Sequence, residues 1–295
     1  MTGSPKVGSP QAREMLQVDH ITAGFGATTV LHGLAYAVRQ GEIVGIFGLN
    51  GAGKSVSMKV LAGIVPAWSG QVILEGRDIT RASAEERVEL GIGHVPQGRQ
   101  VFKALTVEQN LRLGAYTLRR RDRSRYAGVL DGVYDRFPIL AERRTQLAGT
   151  MSGGQQASLA VARALMSEPK LLCIDEPSAG LAPLVVQELL ETLRAVAATG
   201  MTMVLVEQNV AFGLQLADTV NILQTGRIVH SGPAADVDSA TLAQYLGVGR
   251  LLTKGAAGAV ATRSTKPAKK ATAKRATPKP AARRAAATST GAGDE

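Results

Sequence analysis

Residues 48–55, with the sequence GLNGAGKS, constrain the fold of this chain most strongly because they directly follow the apolar run 43–47. Glycines at this spacing let successive backbone N–H groups surround an anion, and a helix beginning there adds its positive N-terminal end. In such a P-loop the lysine reaches the β- and γ-phosphates of a nucleotide, and the serine hydroxyl is a ligand of Mg²⁺. An ordinary glycine-rich strand-to-helix turn is the alternative. The predicted phosphate-binding residues are Gly48, Leu49, Asn50, Gly51, Ala52, Gly53, Lys54, Ser55 and the adjoining Val56.

A second apolar run, residues 171–174, ends in two acidic residues. Asp175 at the tip of this strand can hold Mg²⁺ through water, opposite Ser55. Glu176 is placed to polarise a water in line with the γ-phosphate, because Mg²⁺ and Lys54 neutralise the phosphate charge that would otherwise repel it. Apolar strands often end in Asp, so this pattern gains its meaning from the P-loop. We predict Lys54 and Glu176 as catalytic residues.

Strand and helix signals alternate between residue 15 and about residue 248. Three continuous apolar runs, at 43–47, 171–174 and 203–206, are typical of parallel strands covered on both faces. The predicted strands are 15–21, 29–38, 42–47, 71–75, 91–95, 170–175 and 202–207, with a hairpin at 221–229 that turns at Thr225 and Gly226. Capping boxes begin helices at Ser83 and Thr106, and Pro183 opens another. This alternation predicts an α/β domain with a mostly parallel core sheet.

The net charge of +10 belongs mainly to one segment, since residues 251–295 hold ten Lys or Arg and only two acidic residues. That segment offers almost nothing to bury, so we predict a disordered basic tail, and the Gly/Ser/Pro-rich residues 1–13 are predicted to be disordered as well. No run approaches the roughly 18 to 20 apolar residues that cross a bilayer. The single cysteine, Cys173, lies in an apolar run, and we find no secretion signal. We therefore expect a reducing, cytoplasmic compartment.

Between the two phosphate-site motifs lies the sequence GTMSGGQQ, residues 149–156, followed by apolar residues at helical spacing. Ser152 and the amides of Gly153 and Gly154 form a second anion-binding helix start. A simple helix cap would explain the serine but not the pair of glycines. The stretch MSGGQ resembles the LSGGQ signature of ATP-binding-cassette (ABC) ATPases. The resemblance implies that Ser152, Gly153, Gly154 and Gln155 face the ATP of a partner subunit, so that a head-to-tail dimer holds two ATP molecules.

Other sequences that resemble ABC elements occur in the family's order between about residues 15 and 247. Phe25 resembles the aromatic residue that stacks on adenine, with a core position as its alternative. Gln97 resembles the glutamine that senses Mg²⁺ and contacts the transmembrane subunit. Residues 178–181 resemble the D-loop that follows the catalytic glutamate. Gln208 stands where the family has its switch histidine, which makes it a third candidate catalytic residue.

Two positions depart from the family pattern. Val56 replaces a Thr or Ser, so a hydroxyl to the α-phosphate is missing, which weakens nucleotide binding by about 1 kcal/mol. Gln208 can still donate a hydrogen bond to the γ-phosphate but cannot become charged. We hypothesise that Gln208 positions phosphate and water without proton transfer.

The resemblance implies a P-loop NTPase of ABC type, with an antiparallel β-subdomain and a helical subdomain added to the core sheet. We place this ATPase domain at residues 14–250 and the helical subdomain at about 98–160, where it would dock a coupling helix of the permease. ATP and Mg²⁺ are the implied cofactors, and Ser55, Gln97 and Asp175 the implied metal-site residues. The activity implied is hydrolysis of ATP coupled to transmembrane transport.

The sequences VPQGRQVF, AGTMSGGQQ, DEPSAGLAP and LVEQN resemble one branch of the family, the smaller ATPase of bacterial branched-chain amino-acid importers. A sibling branch that serves urea and short-chain amides has overlapping motifs, so the substrate stays open. The branch implies transmembrane permease subunits, either a second, different ATPase or another copy of this chain, and an external substrate-binding protein as an indirect partner. The expected location is the cytoplasmic face of the cell membrane, as a peripheral subunit.

Three interpretations of the basic tail stay open. It is a solvated segment without a specific partner, or it touches anionic lipid beside the permease, where each Lys or Arg contributes roughly 1 kcal/mol. In the third, the chain is a non-transport ABC ATPase whose tail neutralises nucleic-acid phosphates. The nearly neutral body of the chain makes nucleic acid the least favoured partner.

Overall fold

The structure, a computed structural model, describes residues 13–247. The two segments predicted to be disordered, 1–13 and 251–295, lie outside the described residues except for Arg13. The domain boundaries at 14 and 250 stay predictions. In the part of the chain that is described, no helix has the length and apolar character that a bilayer crossing requires.

Ten strands form two sheets within residues 13–247. Their bounds are β1 Glu14–Phe25, β2 Thr28–Arg39, β3 Ile43–Phe47, β4 Ser69–Leu74, β5 Arg77–Asp78, β6 Ile92–Val95, β7 Leu171–Asp175, β8 Thr202–Glu207, β9 Thr219–Gln224 and β10 Arg227–Pro233.

The larger sheet has the strand order β10-β9-β3-β8-β7-β6. β3 pairs in parallel with β8 and β9, and β7 pairs in parallel with β6 and β8, whereas β10 joins β9 in antiparallel orientation. Every residue of β3, β7 and β8 is buried, because apolar side chains pack against both faces of these central strands. The expected mostly parallel core sheet is confirmed.

The smaller sheet has the order β2-β1-β4-β5, and all its neighbours are antiparallel. β1 continues to Phe25, beyond the predicted end at residue 21. The strand has an irregularity at His20, whose φ is +48°, and its pairing with β2 resumes after it. The hairpin of β9 and β10 turns at Thr225 and Gly226 as predicted, with strands longer than the sequence indicated.

Ten α-helices connect or flank these strands in the described residues. Their bounds are α1 Lys54–Leu61, α2 Ala84–Glu89, α3 Val107–Gly114, α4 Tyr116–Arg121, α5 Tyr126–Arg136, α6 Pro138–Glu142, α7 Gly153–Leu165, α8 Pro183–Ala197, α9 Val210–Gly213 and α10 Ser239–Leu246. The predicted capping boxes at Ser83 and Thr106 are both present, and Pro183 opens α8.

The parallel register brings the carboxyl ends of three central strands together. Phe47 at the end of β3 is paired with Glu207 at the end of β8, and Asp175 at the end of β7 is paired with Val206. The P-loop, the acidic residues Asp175 and Glu176, and Gln208 therefore all lie at the carboxyl ends of the strands, on one side of the sheet.

Candidate active site

The glycine-rich turn after β3 folds tightly against its neighbours. A Cβ at position 48 would lie 2.5 Å from the Leu223 carbonyl oxygen, so only glycine fits there. Gly53 caps α1 with φ +106°, a conformation that residues with a Cβ rarely adopt. The Gly226 N–H donates to the Ala52 carbonyl at 2.8 Å, which connects the turn to the hairpin of β9 and β10.

Lys54, the first residue of α1, is only 4% exposed. Its Nζ donates to the carbonyl oxygens of Gly48 at 2.9 Å and Leu49 at 3.1 Å, and lies 3.0 Å from Glu176 Oε1. The lysine is thus held above the turn by two carbonyl groups and one carboxylate. This places an ammonium group where phosphate charge would enter.

Ser55 and Asp175 lie in contact across the sheet edge. The Ser55 hydroxyl donates to Asp175 Oδ1 at 3.3 Å. Burial raises the pKa of Asp175, while the hydrogen bond from Ser55 opposes that change. A hydroxyl and a carboxylate are the oxygen ligands that Mg²⁺ prefers, so this pair fits a magnesium site by its donor chemistry.

Glu176 is 8% exposed, and both of its carboxylate oxygens are engaged. Oε1 faces Lys54, and Oε2 accepts a hydrogen bond from Gln97 Nε2 at 2.7 Å. The backbone of Glu176 has φ +44°, and its N–H donates to the Val206 carbonyl at 2.9 Å. Strained backbone of this kind persists only where the surroundings hold it, as they do here.

A cavity of about 230 Å³ opens beside these groups. Its lining residues are Val30, Asn50, Gly51, Gly53, Lys54, Ser55, Val56, Gln97 and Glu176. The structure thus brings the P-loop, Gln97 and Glu176 around one space. A larger cavity of about 560 Å³ beside α5 contains none of the predicted site residues in its lining.

The signature residues begin α7, away from the lining of that cavity. Ser152 caps the helix in a full capping box with Gln155. A Cβ at Gly153 would lie 2.9 Å from Arg99 Nη1, and one at Gly154 would lie 2.6 Å from the Val185 side chain. Close packing against α8 therefore favours glycine at position 154, whereas the flexible Arg99 side chain could move away from a Cβ at position 153.

Phe25 and Gln208 also lie outside the cavity lining. Phe25 ends β1 and is 52% exposed, so the alternative that it is a core residue is wrong. Gln208 is exposed directly after β8, and its backbone N–H donates to Glu207 Oε2 at 3.1 Å.

Two buried charged residues that contact elements of the site were missed in the sequence. Arg87 of α2 donates to the carbonyl oxygens of Val60 and Leu61 at the end of α1, at 2.7 and 2.9 Å. Glu207, 1% exposed, accepts hydrogen bonds from three backbone N–H groups. Glu207 could have been found, because it ends an apolar strand just as Asp175 does.

P-loop nucleotide hydrolases have a glycine-rich turn that leads into a helix, and a lysine next to acidic residues at the end of a neighbouring strand. The same arrangement is present here. Comparison with known proteins narrows this class. Residues 31–179 match the sequence profile described as "ABC transporter". The chain belongs to the ABC transporter family, and its activity is ATP hydrolysis coupled to transport.

Two curated relatives resemble the chain over most of their length. The high-affinity branched-chain amino acid transport ATP-binding protein BraG of Pseudomonas aeruginosa is 44% identical over 73% of this chain and 91% of its own. A probable branched-chain amino acid transport ATP-binding protein, LivF of Archaeoglobus fulgidus, is 35% identical over 76% of this chain and 94% of its own.

Solved structures agree with the fold. A nucleotide-free ATP-binding cassette from an ABC transporter superposes with a TM-score of 0.69 and 27% identity, covering 79% of this chain and 95% of that one. The cbiO1 protein of Clostridium perfringens, part of the cbiONQ ABC transporter complex, gives a TM-score of 0.67 at 26% identity, covering 80% and 96%. The α/β ABC ATPase fold is confirmed.

Proposed function

We propose that this chain is the ATPase subunit of an importer for branched-chain amino acids. The observation that carries the proposal is the 44% identity to BraG, which extends over 91% of that protein. LivF, a second relative named for branched-chain amino acid transport, also supports it at 35% identity. Relatives at lower identity have other roles, such as lipopolysaccharide export, so an experiment must decide the substrate.

ATP is bound by the P-loop in this proposal. Backbone N–H groups of residues 48–55 surround the phosphates, and Lys54 moves its hydrogen bonds from the loop carbonyls to phosphate oxygens. Ser55, Asp175 and Gln97 would hold Mg²⁺, which neutralises phosphate charge when bound. Phe25 supplies an exposed ring for the adenine base.

Glu176 acts as the general base. It accepts a proton from the water whose oxygen attacks the γ-phosphorus, while the bond from that phosphorus to the bridging oxygen breaks and leaves ADP and phosphate. The hydrogen bond from Gln97 at 2.7 Å orients its carboxylate. The side-chain NH₂ group of Gln208 donates a hydrogen bond to the γ-phosphate and helps to position the water.

Ser152, Gly153, Gly154 and Gln155 bind the ATP of a partner subunit. Their absence from the cavity around Lys54 supports a site that is completed by a second chain, either a different ATPase or another copy. Transmembrane permease subunits carry the substrate, which an external binding protein delivers. The chain then acts as a peripheral subunit at the cytoplasmic face of the membrane.

Uptake measurements test the substrate. A strain lacking this chain, complemented with the parent or with Glu176→Gln, is given labelled leucine or labelled urea. We expect leucine uptake to return with the parent only, and urea uptake to stay the same in all strains. Loss of urea uptake with normal leucine uptake would instead place the chain in the urea branch.

The proposed role of residues 251–295 is that of a solvated tail. Removal of residues 254–295 is expected to leave binding to anionic liposomes and to DNA unchanged. A loss of liposome binding would assign the tail to lipid, and a loss of DNA binding would support the nucleic-acid alternative.

A further inference from the structure

Glu207 is a buried acidic residue that ends β8, and its side chain joins two loops. Oε1 accepts a hydrogen bond from the Ser178 N–H at 2.9 Å. Oε2 accepts two more, from the N–H groups of Gln208 at 3.1 Å and Asn209 at 3.0 Å. The residue is only 1% exposed, so backbone N–H groups replace water as the hydrogen-bond donors to this carboxylate.

A carboxylate is costly to bury unless it is well hydrogen-bonded. Among the described residues, no Lys, Arg or His nitrogen lies within 4.0 Å of the Glu207 oxygens. The three N–H groups are therefore its compensation, and each of them belongs to a loop at the sheet edge. A neutral apolar residue of similar size would leave all three donors without their acceptor.

The two loops that Glu207 joins carry residues with proposed roles in hydrolysis. Ser178 lies two residues after Glu176, and Gln208 directly follows Glu207. The segments are also joined one step earlier, where the Glu176 N–H donates to the Val206 carbonyl at 2.9 Å. The Glu207 side chain thus continues the β7–β8 pairing past the strand ends, where backbone pairing stops.

The hydrogen bond between Ser178 and Glu207 lies next to the strained backbone of Glu176. Glu176 has φ +44°, and the next residues close a tight turn, in which the Ala179 N–H donates to the Glu176 carbonyl at 3.2 Å. A residue held in a sparsely populated conformation needs external restraint. The hydrogen bond from Ser178 to Glu207 supplies that restraint on the far side of Glu176.

We propose that Glu207 is a positioning residue for ATP hydrolysis, which holds the Glu176 loop and the Gln208 loop as one unit. A movement of Gln208 when the γ-phosphate leaves would then be passed to residues 178–181. This inference rests on the proposed roles of Glu176 and Gln208. Glu207 itself touches neither substrate nor metal.

The test compares Glu207→Gln and Glu207→Asp with a matched control, Glu191→Gln, in the full chain. Glutamine keeps the shape but turns an NH₂ group toward backbone donors, and aspartate keeps the charge but is one methylene shorter. Glu191 lies exposed on α8, so its substitution makes the same chemical change away from the site.

Kinetics and hydrogen exchange give the two readouts. For Glu207→Gln we expect kcat to fall roughly 10- to 100-fold, because small misplacements of catalytic groups have effects of that size. KM and the dissociation constant for ATP should change by less than about twofold, because the P-loop is untouched. Amide exchange should become faster in peptides covering 177–181 and 207–212, but not in those covering 48–56. Glu191→Gln should match the parent in every measurement.

Each outcome decides the inference. Parental kcat in a folded Glu207→Gln protein overturns it, as does an equal loss of ATP affinity and kcat, which would indicate general damage. If Glu207→Gln does not fold, Glu207→Asp decides by the same criteria. Exchange is measured without nucleotide, so it tests the link between the loops even if Glu176→Gln proves active and the proposed catalytic role fails.

Discussion

Lys54 and Glu176 form an ion pair beside the P-loop, with 3.0 Å between Nζ and Oε1 and side chains only 4% and 8% exposed. The residue proposed to bind phosphate is thus neutralised by the residue proposed to activate water. Phosphate oxygens can replace the carboxylate as the partner of Lys54, and that exchange would leave Glu176 free to accept a proton. In the proposed mechanism, this pair would therefore link ATP binding to activation of the base.

Lys54→Met removes the ammonium group and keeps most of the buried stem. A hydrogen bond to a charged group contributes about 1.5 to 3 kcal/mol, so we expect ATP affinity to fall roughly 10- to 150-fold. Titration with a fluorescent ATP analogue measures this. Lys59→Met, at an exposed position of the same helix, is the control and should bind ATP like the parent. Equal affinity of the two variants would refute the phosphate role of Lys54.

Gln208→Ala removes the side-chain amide proposed to position phosphate and water. We expect kcat to fall by about tenfold with little change in KM, because the interaction is made in the transition state. Steady-state phosphate release measures both constants. Gln71→Ala, at an exposed position of β4, should keep parental kinetics. Hydrolysis at the parental rate in Gln208→Ala would show that the assignment is wrong.

Arg87→Met tests whether the Arg87 side chain stabilises the C-terminal end of α1. The Arg87 side chain is 2% exposed and donates to the carbonyls of Val60, Leu61, Thr80 and Ala82. Its positive charge also lies at the C-terminal end of α1, where a cation is favoured. We expect the free energy of unfolding to fall by about 3 kcal/mol in urea titrations. Arg81→Met, an exposed neighbour, should change it by less than about 0.5 kcal/mol, and a similar value for both variants would contradict this role.

His94 on β6 makes stability depend on pH. Burial lowers its pKa from 6.5 to about 4. The unfolded chain therefore binds more protons between these values, so the free energy of unfolding falls as pH falls from 6.5 to 4, by up to roughly 3 kcal/mol. Urea unfolding at several pH values should show a shallower decline for His94→Gln than for the parent. The exposed His20→Gln variant should keep the parental decline, and identical curves for all three proteins would exclude His94 as the cause.

The sequence predicted the sheet edge well because its signals there are local. Each apolar run predicts a buried strand. The position of the residues after the run, such as Lys54 and Glu176, at the carboxyl end of that strand follows from chain direction alone. The parallel order of β3, β8 and β7 then brings these ends together. Asp175 was expected opposite Ser55, and the Ser55 hydroxyl lies 3.3 Å from Asp175 Oδ1.

Burial of Arg87 and the hydrogen bonds of Glu207 depend on distant parts of the chain. Arg87 belongs to the short helix AEERVE, whose composition indicates a solvent-facing element, and only packing against α1 buries it. Glu207 ends an apolar run, but one of its donors, Ser178, comes from a loop 29 residues away in sequence. Periodicity carries no information on such pairs.

Phosphate release from ATP by Glu176→Gln tests the central claim, that Glu176 activates water at the P-loop site. With magnesium and a partner subunit present, we expect this variant to retain ATP and to release phosphate at least about 100-fold more slowly than the parent. Release at a rate comparable to the parent, with ATP bound equally well, would contradict the claim.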